Sequence, residues 1–115
     1  MSIFLCTFAD KKYFFMKTYA VGLLPSKLHK LRKQCKHTQR ELANLLGVSV
    51  AMYSKIELGE RTVKADHIPK LAHFFNSDVN EFYTLYLADK IKSESKEYPR
   101  QVIDKALNLI QHELI

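Results

Sequence analysis

Apolar residues recur at helical spacing through most of the chain, and the interruptions between them are short and polar. Leu24, Leu28 and Leu31 lie three and four apart with basic residues on the other faces, which predicts a helix over 24–36 with Pro25 in its first turn. Leu42, Leu45 and Leu46, with Ala43 beside them, form a second stripe. Thr38 is placed to cap it: its hydroxyl can accept from a first-turn amide while Glu41 reaches back to the Thr38 backbone. Gly47 stops that helix at a position suited to positive φ. Ser49 caps a third helix with Tyr53, Ile56 and Met52 on its inner face, and Gly59 ends it. Ile68, Leu71, Ala72 and Phe75 mark a fourth helix over about 65–75. Pro69 requires that helix to begin near Ala65, since proline fits only positions whose amides lack partners. Asp78 and Glu81 predict a second capping box, opening a fifth helix striped by Phe82, Leu85, Tyr86 and Ile91. The polar run KSESKEY (92–98) is a break. Pro99 opens a last helix reaching about Leu114, with Val102, Ile103, Ala106, Leu107, Ile110 and Leu114 at helical spacing. The expected fold is all-α: a five-helix core plus an additional C-terminal helix. That last stripe buries against its own domain or against a second copy, and a contribution to dimerisation is favoured.

Residues 38–61 organise the rest. Two short helices joined by so tight a turn cannot lie antiparallel over a long contact. They cross steeply, and the second projects one face away from the core, a face sized for a DNA major groove.

Charge sharpens this picture. The 115 residues suit one domain, and the formal net charge is +6. Residues 26–64 hold nine Lys/Arg and three acids, so the whole excess sits on the two-helix segment and the helix before it, while the remainder sums to zero. A polyanionic partner, double-stranded DNA, is the natural reading. Cys6 and Cys35 make no metal pattern and are expected to stay reduced in a cytoplasmic protein. The five histidines are scattered without ligand spacing. With no Gly-rich phosphate loop, no metal cluster and no nucleophile–base pair, neither an enzyme nor a cofactor is expected.

The first fifteen residues, MSIFLCTFADKKYFF, are too short to span a membrane and lack the basic start of a secretory signal. Either they form an aromatic-rich arm that packs on the domain or a partner subunit, or they lie upstream of a native start at Met16. The second reading is favoured, because exposed phenylalanines on a tail invite aggregation. The chain therefore divides into an arm over 1–22, a DNA-binding domain over 23–91, and a linker with the C-terminal helix over 92–115.

Residues 38–61 also resemble the Cro/phage-repressor (XRE) helix-turn-helix family. The resemblance rests on Gln39 opening the first helix, Ala43 and Gly47 four apart, Val48-Ser49 at the turn, and Tyr53-Ser54-Lys55-Ile56-Glu57 followed by Gly59. It extends over about 24–87. Ala43 and Gly47 are read as places where the helices meet closely and a larger side chain would push them apart. The resemblance implies that Arg32 pairs with Glu57 as a structural ion pair. It also implies that Ser49, Val50, Ala51, Ser54 and Lys55 contact bases. Chemistry agrees: Val50 and Ala51 can sense thymine methyls, and Ser54 and Lys55 can reach base edges. Gln39, Lys36, Arg40 and Arg61 are the expected phosphate contacts, and the Tyr53 hydroxyl could turn to a phosphate. Residues 76–82 with 87–91 are similar to small regulators that accompany DNA methyltransferase genes. The expected function is a sequence-specific transcriptional regulator, a repressor or restriction–modification controller, acting as a homodimer on a palindromic operator. The alternative is an antitoxin that binds a toxin protein and autoregulates its operon.

Overall fold

The computed structural model describes residues 22–114, and among them it contains six helices and no strand. They are α1 (Leu23–Gln34), α2 (Gln39–Leu46), α3 (Val50–Glu57), α4 (His67–Phe74), α5 (Val79–Glu94) and α6 (Arg100–Leu114). The expected N-terminal arm, with the question of a start at Met16, lies outside the described residues.

Local chemistry sets the boundaries of the central pair. Thr38 Oγ1 accepts from the Glu41 amide at 3.2 Å, and the Thr38 amide donates to Glu41 Oε1 at 2.7 Å, so the capping box before α2 is complete. Ser49 Oγ accepts from the Met52 amide at 3.0 Å and starts α3. Between them Gly47 stands at φ 70°, and the Val48 amide donates to Ala43 O at 3.0 Å, closing the end of α2. A Cβ at Gly47 would meet nothing within 4 Å, which corrects the expectation of crowding there. The glycine is required by the left-handed backbone, whereas Ala43, buried in the core, answers to space. Lys36 (φ 61°) and Asn76 (φ 52°) take the same left-handed conformation after α1 and α4.

The core is the sum of the inward stripes: Leu24, Leu28 and Leu31 of α1; Leu42, Ala43 and Leu46 of α2; Tyr53 and Ile56 of α3; Ile68, Leu71 and Ala72 of α4; Phe82 of α5; and Val63 and Phe75 from the loops. α2 crosses α3, α1 lies along α5, and α4 closes the far side against α2 and α5. α4 begins two residues later than expected. The His67 and Ile68 amides bond back to Lys64 and Ala65 in a tight lead-in turn, and Pro69 becomes the third helical residue, where a missing N–H leaves nothing unpaired.

Two other differences lie at the ends of α5. Asp78 does cap α5, accepting from the Asn80 amide at 3.3 Å, but no reciprocal bond from Glu81 completes a box. The Glu81 carboxylate instead takes Lys27 Nζ of α1 at 2.9 Å. α5 also runs through Lys92, Ser93 and Glu94, residues assigned to the break. Three residues before that extension α5 is tied to α1: Asp89 accepts from the Leu23 and Leu24 amides, each at 2.9 Å, through its two carboxylate oxygens. A residue 65 and 66 positions away thus caps α1 where Gly22 has no side chain to do so. Asp89→Ala should cost about 1 kcal/mol, as loss of a helix cap does, visible as a lower urea midpoint with an unchanged denaturant slope. Cys35, half-buried after α1, is engaged in a disulfide where a reduced thiol was expected. No described helix is long and apolar enough to cross a membrane.

Candidate nucleic-acid interface

α3 turns one face to the core and one to solvent. Tyr53, Ile56 and Glu57 are buried. Ala51 and Lys55, four apart and therefore on one side of the helix, are exposed, as is Ser49 at its N-terminus. Val50 and Ser54 lie between these faces and are half-buried, and Val50 packs against the core cluster. Of the five expected base-contacting residues, Ser49, Ala51 and Lys55 are therefore presented outright, and Val50 and Ser54 form the shoulder of the same surface. Lys36 and Arg40 are exposed immediately before and at the start of α2, and Arg61 is exposed in the loop after α3.

The orientation of α3 is held at its C-terminal end by Glu57. Its Oε2 accepts from Arg32 Nε at 2.6 Å, and its Oε1 accepts from Arg32 Nη2 at 3.1 Å, so the guanidinium of α1 engages the carboxylate with both prongs. Arg32 Nη1 also donates to His37 O at 3.1 Å, which ties the α1–α2 loop to the same group. Two further side chains reach Glu57 Oε1: His29 through Nδ1 at 3.0 Å and Gln39 through Nε2 at 3.2 Å. The buried carboxylate thus joins α1, α2 and α3 at one point. In this arrangement the Gln39 amide is turned to Glu57 and not out toward a phosphate. The backbone amide end of α2 and the Arg40 side chain remain on the exposed side.

Burial alone would push the Glu57 carboxyl up. Hydrogen bonds from Arg32 and His29, the adjacent Tyr53 hydroxyl and the Arg32 charge outweigh it and hold the group below the usual glutamate range. Arg32 is in turn raised, chiefly by its hydrogen bond to Glu57. Tyr53 is buried to its oxygen, which lies against Glu57 without a hydrogen bond of ordinary geometry. Burial and then the Glu57 charge push its pKa far up, so it stays neutral and cannot reach a phosphate, which corrects that expectation.

These residues form a tight inter-helix turn with one exposed face and a buried brace behind it. A helix-turn-helix family model matches residues 28–82, from α1 to the first turn of α5. Residues 28–82 belong to the XRE helix-turn-helix family. The comparison with curated proteins and that with solved structures each gave no match. Membership makes the helix-turn-helix of this chain a DNA-binding, regulatory one. The matched segment contains the exposed face of α3, the Glu57 brace and the candidate base and phosphate contacts, and it stops short of Asp89 and α6.

Sequence spacing carried no signal for three of the helix-turn-helix contacts. His29 and Gln39 converge on Glu57 from 28 and 18 residues away. His37 packs on Phe74 with ring centroids 4.7 Å apart, which pins the loop before α2 to α4. The depressed Glu57 pKa also sets a pH dependence. A carboxylate more acidic when folded contributes stability that is complete above the unfolded value and lost as pH falls through the folded one. Urea midpoints should therefore drop on acidification below the ordinary glutamate range. Glu57→Gln should be less stable at neutral pH and should lack this component of the drop.

Proposed function

We propose that this XRE-family protein is a sequence-specific repressor that binds a palindromic operator as a two-fold dimer. The observation that carries the reading is the placement of charge: the entire +6 excess lies in residues 26–64, the segment that holds the exposed face of α3 and its flanking cations. Lys36, Arg40 and Arg61 anchor the phosphates, and Ser49, Ala51 and Lys55, flanked by Val50 and Ser54, read base edges in the major groove. One such domain makes few base contacts, so specific affinity comes from two copies on half-sites about one helical turn apart. Occupying a promoter in this way excludes the polymerase. The resemblance in residues 76–91 favours genes of a restriction–modification system as targets.

Selection from randomised duplexes with the purified protein tests the proposal. The expected product is an inverted repeat whose half-sites are spaced by about 10 base pairs. Binding that shows no sequence preference at moderate salt would refute it.

A further inference from the structure

We infer that the apolar face shared by α6 and the second half of α5 is the surface through which two copies of this chain pair. This deepens the dimeric reading above, and it rests on that reading only for its effect on DNA.

α6 is a 15-residue amphipathic helix whose stripe the other described residues leave largely exposed. Leu107 is 38% exposed, Ile110 50% and Val102 47%, and on α5 Leu87 is 57% and Ile91 37% exposed. Helices of this length are marginal in water on their own, so an amphipathic one draws its stability from the surface that buries its stripe. Ala88 and Ile91 of α5, with Ile103 and Leu107 of α6, line an open cleft between the two helices, and the apolar positions continue from it along α6.

The spacing names the kind of occupant. Ile103, Leu107, Ile110 and Leu114 are separated by four, three and four residues, which sets them in one stripe along the helix. A stripe with this alternation of four and three packs well against another helix carrying the same stripe. A second copy brings such a helix, in the self-complementary arrangement a two-fold axis requires.

Charge points the same way. Two chains of net charge +6 repel if they meet at the helix-turn-helix. Residues 87–114 hold five Lys/Arg and five Asp/Glu, so this end is neutral. Pairing here keeps the cationic segments out of the contact and free for DNA.

The test is the solution mass of the full chain by light scattering at micromolar concentration without DNA, for the wild type, Leu107→Lys and Ile110→Lys. Both positions are exposed and outside the helix-turn-helix, so helical circular dichroism should be retained. The wild type should have the mass of two chains and each variant the mass of one. The variants should bind a two-fold site about 100-fold more weakly, the loss expected when two linked contacts become one, yet match the wild type on an isolated half-site. A one-chain wild type would overturn the inference and leave residues 1–21 or another protein as the cover for this face. A two-chain mass in both variants would overturn it by placing the interface elsewhere. A wild type that is two chains, with one-chain variants and no sequence preference on DNA, would uphold the interface and refute the operator reading.

Discussion

Arg32→Ala should destabilise the protein by about 3–5 kcal/mol, the range for removing one partner of a buried ion pair, and the urea midpoint should fall accordingly. The size follows from what is left behind. Glu57 is 5% exposed, and without Arg32 it loses both prongs and retains only His29 and Gln39 as donors. The His37 carbonyl loses its donor as well, so the α1–α2 loop loses one of its ties at the same time. The intact pair need not itself be a large source of stability, because taking two charges out of water offsets most of their attraction. The double variant Arg32→Met, Glu57→Met should therefore be more stable than Arg32→Ala. DNA affinity should fall further than the unfolded fraction explains in every variant that lacks the brace, because Glu57 fixes the end of α3 relative to α1 and α2. A single variant with wild-type stability would show that the carboxylate is not the joint between these helices.

Ala51→Glu should weaken specific DNA binding by about 100-fold or more (roughly 2.8 kcal/mol at 1.4 kcal/mol per tenfold), while leaving the fold intact. Ala51 is exposed in the first turn of α3, where a carboxylate is favoured by the unpaired amides and the helix dipole. Stability should hold or rise slightly. In the groove the same carboxylate faces phosphates and base acceptors, and such like-charge contacts cost several kcal/mol. Val50→Glu would be a poorer probe: Val50 packs on the core, so its substitution mixes folding with binding. Thermal unfolding beside a gel shift on the selected site separates the two effects. Retained affinity for that site would remove α3 from the base-reading role.

Where the chain could be read in advance, the interactions were local. Thr38 with Glu41 and Ser49 with the Met52 amide span three residues each, so spacing alone places them. Gly47 was legible as a stop, but its reason was misread, since sequence does not distinguish a backbone that needs positive φ from a crowded one. The pairing of Arg32 with Glu57 came from resemblance, because no local pattern links residues 25 apart. Gln39 shows the limit most clearly. Its position at the start of α2 suggests a phosphate, and only the folded arrangement brings Glu57 close enough to take its amide. The half-burial of Val50 was hidden for a related reason: helical periodicity assigns a face, but the neighbours decide how far the shoulder of that face is covered.

Asp89 has a consequence for where this protein can be shortened. The part that matches the family ends at residue 82, yet the carboxylate that closes the first turn of α1 lies seven residues beyond it. A chain trimmed to the matched segment would keep the recognition surface and the Glu57 brace. It would lose the opening turn of α1, all of α5 beyond its first turn, and the bridge between them. The smallest independently folding piece should therefore extend through at least Asp89, so the segment recognisable as a family member is shorter than the unit that holds itself together.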